Sequence, residues 1–203
     1  MGKNFLVIIA LFIAPLSPSE AAMEATVTLL QPSGDQARCS GVWVSKNTIL
    51  TAAHCIYPDM RWTSHGSWVH FKPTRIFTTE LLKVDVLQDL ALCRALKPPT
   101  HTHVQLSFLP PTERERVFTI GSPYGIPWQR TDGIVTDPLR RGFPGRPDHP
   151  RIWIQAYIDV APGNSGGGLF NTHGQLLGIT SFYYEGSKIV GFVHWRSIYR
   201  MLH

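Results

Sequence analysis

The chain has 203 residues and a formal net charge of +5, and only 16% of the residues are charged. That length corresponds to one domain, or to two small domains that share a core. Beyond the N-terminal segment no run of about 20 apolar residues occurs, which argues against an integral membrane protein. The 17 glycines and 16 prolines predict many short elements separated by turns, not long helices.

Residues 1–21 have the pattern of a secretory signal peptide. A lysine precedes the mostly apolar run 5–16, and small residues stand at positions −3 and −1 of a cleavage site before Ala22. The alternatives are an uncleaved membrane anchor and a first core strand, but the apolar run is short for a membrane span. We therefore expect a secreted or periplasmic protein whose mature part, 22–203, keeps no stable membrane anchor.

Export bears on the interpretation of the three cysteines. Cys39 and Cys55 lie sixteen residues apart, and in an oxidising compartment such a pair can form a disulfide. The alternative is two buried free thiols. Cys93 lies in an apolar run and is interpreted as a small core hydrophobe, not a nucleophile. No Cys-x-x-Cys pair occurs, so a cysteine zinc site is not indicated.

Short strand-like runs separated by turn signals fill the rest of the chain. The predicted strands, in chain order, are 25–30, 41–45, 48–51, 68–71, 81–86, 90–92, 117–120, 133–136, 152–156, 168–170, 175–180 and 189–193. Only 196–202 looks like a helix. Strands without alternating helices predict an all-β barrel or sandwich architecture. The polar stretch around 109–116 is the natural boundary between two halves, and we find no internal repeat.

The segment 137–151 is rich in proline, glycine and arginine. Its four arginines could recognise a phosphate or another acidic partner. Such a run is more often a solvated surface loop, and that is the interpretation we favour.

Three short motifs carry candidate chemistry. His54 follows a predicted strand in Thr-Ala-Ala-His-Cys, Asp89 precedes the buried strand 90–92, and Ser165 lies in the turn Pro-Gly-Asn-Ser-Gly-Gly. Each motif alone is weak, because a histidine at a strand end or an aspartate before a strand is usually structural. Together they supply the parts for nucleophilic acyl transfer in the order His, Asp, Ser.

The residue types match what that chemistry requires. A serine hydroxyl is a poor nucleophile near pH 7 and needs a base within hydrogen-bond reach. An imidazole can take the proton and later deliver it to the leaving amine, while a buried carboxylate fixes its tautomer. The oxyanion that develops needs fixed N–H donors, which the backbone of Gly163 and Ser165 could offer. Glycines permit the positive φ angles of such a loop.

These motifs and the segments around them resemble the trypsin/chymotrypsin-like serine proteases, and most closely the bacterial HtrA/Deg-type branch. The matching segments are 39–45, 51–55, 88–92, 120–125, 132–135, 161–167 and 174–179. The resemblance implies two perpendicular six-stranded antiparallel β-barrels, about 25–108 and 115–195, with a short C-terminal helix and an active site between the barrels.

The resemblance also assigns roles to individual residues. It implies that His54 is the general base, Asp89 its orienting carboxylate and Ser165 the nucleophile, with Gly163 and Ser165 forming the oxyanion hole. The pair Cys39 and Cys55 matches the disulfide that braces the histidine loop in the trypsin branch.

Two features depart from parts of the family. Trypsin-type zymogens carry an aspartate immediately before the nucleophile, whereas this chain has Asn164 there. An amide offers a freed N-terminal ammonium no ion pair, so activation by cleavage of a pro-segment is not expected. HtrA-type enzymes usually carry a C-terminal PDZ domain, and none is expected within the sequence that ends at His203.

Substrate specificity is implied less directly. Asp159 lies six residues before Ser165. In the trypsin branch an aspartate at that position lies at the base of the primary pocket and selects arginine or lysine, whereas the HtrA branch prefers small aliphatic residues. The alternative is that Asp159 is a surface carboxylate. The strand that pairs with substrate backbone and walls the pocket is expected at Thr180, Ser181, Phe182 and Tyr183. Tyr183 could narrow the pocket.

The sequence therefore predicts an exported serine endopeptidase that forms an acyl-enzyme and acts on a protein or peptide substrate. No metal or organic cofactor is expected. His101 and His103 could hold a metal by alternation on one face, but in a polar loop they are interpreted as solvated surface residues. No nucleic-acid partner is indicated, and nothing in the sequence decides the oligomeric state. The rivals are a catalytically silent binding or chaperone-like module on the same fold, and a quality-control protease that works only as an oligomer.

Overall fold

Two closed antiparallel β-barrels make up the fold. The computed structural model describes residues 15–30, 37–56, 65–70, 75–98 and 102–203. The first barrel contains β1 (Thr26–Leu30), β2 (Ala37–Trp43), β3 (Thr48–Thr51), β4 (His65–His70), β5 (Arg75–Asp85) and β6 (Leu90–Ala95). The second contains β7 (Arg116–Gly121), β8 (Gln129–Arg141), β9 (Ile152–Tyr157), β10 (Gly168–Asn171), β11 (Leu176–Tyr183) and β12 (Ile189–His194). The predicted fold class, two six-stranded barrels, is thus confirmed.

The two barrels share one connectivity. In the first, the order is β1-β2-β3-β6-β5-β4, and β4 pairs back onto β1. In the second barrel the order is the corresponding one, β7-β8-β9-β12-β11-β10, and β10 pairs back onto β7. Closure leaves neither barrel with an open sheet edge. The stretch 96–115 joins the barrels.

Besides the short 3-10 turn Pro123–Gly125, three α-helices complete the described part of the chain: α1 (Pro18–Glu24), α2 (Ala53–Ile56) and α3 (Trp195–Leu202). The sequence predicted only the last. Helix α1 begins with a capping box, in which Ser17 and Glu20 satisfy each other's backbone N–H groups. Its Ala22 is fully buried, and none of the three helices is long and apolar enough to cross a bilayer. Residues 1–14 of the predicted signal peptide 1–21 lie outside the described residues, as does His101.

The hydrophobic core runs through both barrels and across their junction. One cluster unites the first barrel, including Trp43, with Phe118 and Phe170 of the second barrel and Ile198 of α3. A separate cluster fills the second barrel around Phe192. Cys93 is a buried free thiol within the first cluster, as its apolar surroundings predict.

Buried polar contacts fix how the barrels meet. Thr28 of β1 and Ser122 share a hydrogen bond of 2.6 Å between their hydroxyl oxygens. The Ser40 hydroxyl of β2 donates to the Gly163 carbonyl at 2.8 Å. A buried hydroxyl without a partner is costly, so these paired groups favour one docking of the barrels. The junction is the place where the candidate site lies.

Candidate active site

His54 lies at the edge of the first barrel, next to a cysteine whose disulfide holds this segment in place. Strand β3 ends at Thr51, so the residue lies in the short helix α2 and not at the end of the strand itself. The next residue, Cys55, forms a disulfide with Cys39 of β2. The bridge ties α2 to the barrel wall, while the imidazole side chain stays 45% exposed.

Asp89 lies beneath His54 in the turn that leads into β6. Its φ of 60° is left-handed, a conformation that aspartate tolerates better than most residues. One carboxylate oxygen accepts the His54 backbone N–H at 2.9 Å, and the two oxygens lie 3.0 and 2.9 Å from Nδ1 of the imidazole. An ionised carboxylate only accepts, so this geometry favours the tautomer with the proton on Nδ1.

The environment of Asp89 keeps the carboxylate ionised. Burial alone would raise its pKa, but the hydrogen bonds from His54 and Ser181 and the attraction to His54 outweigh that effect, so the Asp89 pKa lies below its ordinary value. The Ser181 hydroxyl donates to the second carboxylate oxygen at 2.5 Å. Asp89 is therefore a charged, immobilised partner of His54.

Ser165 approaches the same place from the second barrel. Its carbonyl oxygen accepts the Ser40 backbone N–H at 2.7 Å and lies 3.5 Å from Sγ of Cys55. The Ser165 backbone thus touches the residue that follows His54. Within the described residues the His54 ring hydrogen bonds to Asp89 and not to the Ser165 hydroxyl. Catalytic hydrogen bonds of this kind often tighten only when substrate is present.

The turn around Ser165 leaves two backbone donors free. Asn164 donates its N–H to Ala161, and Gly166 donates to Thr180. Within the described residues, the N–H groups of Gly163 and Ser165 have no protein acceptor. Two free donors on one tight turn are what an oxyanion requires.

Gly163 cannot be replaced without disturbing that turn. Its φ is +105°, and a Cβ there would lie 2.1 Å from the Ser122 carbonyl oxygen. The preceding carbonyl, of Pro162, accepts the Tyr124 N–H at 2.7 Å. Because the N–H of a trans peptide points opposite to its carbonyl, this bond directs the Gly163 N–H away from Tyr124.

A cavity of about 310 Å³ opens beside the imidazole. It is the side of the site that faces the β5–β6 turn and the second barrel. Its lining residues are Ala53, His54, Val86, Asp89, Phe143, Arg151, Ser181 and Phe182. The Phe182 ring also packs edge-on against Phe143 and Trp153.

The predicted specificity residues separate in the structure. The Asp159 carboxylate is 67% exposed and lies 3.2 Å from the Lys188 ammonium, so it occupies the surface position that was the alternative to a pocket base. Thr180 is buried and hydrogen bonds Gly167, whereas Tyr183 is 41% exposed at the end of β11. Of the predicted specificity residues, Ser181 and Phe182 line the cavity beside His54.

Sequence reasoning missed two parts of this site. The sequence predicts Ser181 as part of a substrate-pairing strand and gives no sign that its hydroxyl, which is buried, bonds to Asp89. Arg151 was assigned to a solvated loop, and for this residue the interpretation is wrong: it is 9% exposed and lines the cavity. Arg146 is exposed in the loop after β8, as that interpretation predicts. Arg140 and Arg141 are exposed as well, but they lie in strand β8 and not in a loop.

No side chains free to hold a metal converge at the site. The one cluster of potential ligands in the described ranges is Cys39, His54 and Cys55. Both sulfurs are committed to the disulfide, and Nδ1 of the imidazole faces Asp89. The chemistry available is therefore that of the side chains and the backbone.

The fold and the paired histidine and aspartate point to one class of protein, and comparison with known sequences supports it. Residues 39–179 match the family model described as the trypsin-like peptidase domain. The chain belongs to this family and is homologous to the HtrA/DegP-like serine proteases.

Individual relatives are periplasmic proteases. The chain is 34% identical over 160 residues, 77% of its length, to a probable DegP-like periplasmic serine endoprotease of Hahella chejuensis. It is 29% identical over 75% of its length to the periplasmic pH-dependent serine endoprotease DegQ of Escherichia coli. It spans only 32% and 33% of those two proteins.

A solved structure shows the same fold. The serine endoprotease from Yersinia pestis superposes with a TM-score of 0.72 at 24% identity, covering 93% of this chain and 66% of that one.

Proposed function

We propose that the protein is an exported serine endopeptidase that cleaves peptide bonds through Ser165, His54 and Asp89. The observation that carries the proposal is the double contact of the Asp89 carboxylate with the backbone N–H and the Nδ1 of His54. Family membership and the two free N–H groups beside Ser165 support it.

Each residue has a defined part in the proposed reaction. The Nε2 atom of His54 takes the proton of the Ser165 hydroxyl as Oγ attacks the substrate carbonyl carbon, and the Gly163 and Ser165 N–H groups receive the oxyanion. Asp89 stays ionised and stabilises the imidazolium. The imidazolium then protonates the leaving amine, and water hydrolyses the acyl-enzyme by the same steps.

A fluorophosphonate probe tests the nucleophile. We expect it to label the wild-type chain and not Ser165→Ala, while Ser45→Ala, a hydroxyl in the β2–β3 turn, labels as the wild type does. Asp89→Asn should react about 10⁴-fold more slowly because the imidazole tautomer is lost. Labelling of folded wild-type protein that persists in Ser165→Ala, or no labelling at all, would favour a silent binding module.

Loss of an oxyanion donor tests the turn separately. Gly163→Ala places a Cβ against Ser122 and displaces the N–H, so peptide hydrolysis should fall by at least about 10²-fold. Retention of wild-type kcat in folded Gly163→Ala would contradict the assigned oxyanion hole.

We also propose that residues 1–21 direct export to the periplasm or the medium, in keeping with the periplasmic relatives. Cleavage before Ala22 would remove the first half of α1 together with its capping box, whereas cleavage before Ser17 would retain the helix. N-terminal sequencing of the exported protein distinguishes the two positions. An unprocessed N-terminus in the membrane fraction would contradict cleavage and favour an uncleaved anchor, whereas an unprocessed chain in the cytoplasmic fraction would contradict export.

A further inference from the structure

Arg151 is a buried cation beside the proposed triad. It precedes β9, is 9% exposed, and forms part of the wall of the cavity beside His54. Burying a guanidinium is costly unless its N–H groups and its charge find partners. The partners it finds show what the residue does.

Two hydrogen bonds and one ring fix the guanidinium. Its Nε–H donates to the Leu87 carbonyl at 3.1 Å, in the turn that carries Asp89. Its Nη1–H donates to the Ser181 hydroxyl oxygen at 3.3 Å. The Phe143 ring covers it, with its centroid 5.0 Å from the guanidinium carbon.

These contacts continue into the proposed triad. Ser181 donates its one hydroxyl proton to Asp89, and Asp89 faces Nδ1 of His54. The direction of the chain is fixed by chemistry, because arginine only donates and an ionised carboxylate only accepts. The sequence of donors therefore runs from Arg151 through the Ser181 hydroxyl to Asp89.

The charges point the same way. Burial lowers the pKa of Arg151 from its ordinary value, and the attraction of Asp89 and Asp85 opposes that effect. An arginine keeps its proton in this setting. Arg151 and Asp89 thus balance each other's charge inside the junction, one hydroxyl group apart.

We propose that Arg151 is a positioning residue for catalysis, which orients the Ser181 hydroxyl and holds Asp89 ionised and aligned on His54. The inference rests on the proposed function and names a part of the same site that lies outside the three reacting residues. When His54 gains a proton during acylation, a charged Asp89 stabilises the imidazolium. The arginine makes it harder for Asp89 to take that proton itself.

The cavity offers a competing role, in which Arg151 binds an acidic substrate side chain. We favour positioning because Nε and Nη1 are already directed at the Asp89 turn and at Ser181. The two roles predict different kinetics. A positioning residue changes the rate of reaction of Ser165 with any small reagent, whereas a binding residue changes KM for acidic peptides alone.

Charge and donor count can be separated with three variants. Arg151→Gln removes the charge and retains N–H donors, Arg151→Lys retains the charge, and Arg140→Met is the control. Arg140 is an exposed arginine near the end of β8, in the same arginine-rich segment, and is bonded to Gln155. We expect Arg151→Gln to slow fluorophosphonate labelling and to lower kcat about tenfold with KM unchanged. Arg151→Lys should recover to within about threefold, and Arg140→Met should match the wild type.

A spectroscopic readout needs no substrate. The proton shared by His54 Nδ1 and Asp89 should give a strongly deshielded NMR resonance, which we expect to move in Arg151→Gln and to stay in place in Arg140→Met. Thermal unfolding of each variant identifies any general loss of stability.

The outcomes separate the two proposals. Wild-type protein that is not labelled at Ser165 sinks the proposed function, whatever Arg151 does. Labelled wild type with equal rates in Arg151→Gln overturns the positioning role, as does a rise in KM confined to acidic peptides. Equal losses in Arg151→Gln and Arg151→Lys that follow their unfolding temperatures would show that Arg151 only stabilises the fold.

Discussion

His194 should make the stability of the protein depend on pH. The residue ends β12, is 1% exposed, and caps α3 by accepting the Arg196 N–H on its Nδ1 atom at 3.1 Å. Burial and the repulsion of Arg196 lower its pKa from 6.5 to about 4, although its hydrogen bond to the Pro138 backbone acts in the opposite direction. A protonated ring would also lose the lone pair that caps the helix.

The sign follows from the two states. In the unfolded chain His194 binds a proton below about pH 6.5, whereas in the folded chain it does so only below about pH 4. The stabilisation is therefore fully present above pH 6.5 and is lost as the pH falls towards 4. One pKa unit corresponds to about 1.4 kcal/mol, so about 2 kcal/mol is lost between pH 8 and pH 5, and about 3 kcal/mol at still lower pH.

Urea denaturation at several pH values measures this loss. His194→Asn keeps an acceptor for the helix cap but cannot be protonated, so its free energy of unfolding should be about 2 kcal/mol less sensitive to pH over that interval. His173→Asn, a change on an exposed side chain, is the matched control and should follow the wild type. Asp89 contributes little over this interval, because its pKa in the folded chain, which is lowered from 3.8, and its ordinary pKa in the unfolded chain both lie below pH 5. Parallel pH profiles for wild type and His194→Asn would refute the reasoning.

Three further predictions concern the site and the cysteines. Ser181→Ala removes the hydroxyl that bonds Asp89, and should lower kcat about tenfold or more in a peptide-hydrolysis assay; an unchanged kcat would contradict that role. Replacing Cys39 and Cys55 by alanine opens a bridge across 16 positions and should lower the free energy of unfolding by about 3 kcal/mol in urea; an unchanged midpoint would count against it. Burial raises the pKa of the Cys93 thiol to about 12, so iodoacetamide should modify it only after unfolding, as mass spectrometry would show; rapid modification of native protein would contradict its burial.

Much of the site could be predicted because its chemistry is local in sequence. His54 next to a cysteine, Asp89 before a strand and Ser165 among glycines are short motifs, and the glycine at 163 is required by a backbone angle that only the local turn imposes. Strand positions followed in the same way from short strand-like runs separated by turn signals. The short helices α1 and α2 were missed, because each depends on packing or capping contacts that periodicity does not show.

The remaining parts come from contacts between distant segments. The sequence by itself determined an all-β architecture and the order of the candidate residues, and the family resemblance added the two barrels and the pairing of Cys39 with Cys55. It showed no repeat, yet the two barrels share one strand order, because connectivity is a property of pairing and not of residue identity. Only the tertiary structure shows that Asp159 lies on the surface and that Arg151 is buried. The sequence predicts a solvated side chain for Arg151 because its hydrogen-bond acceptor, the buried Ser181 hydroxyl, lies 30 residues later in the chain.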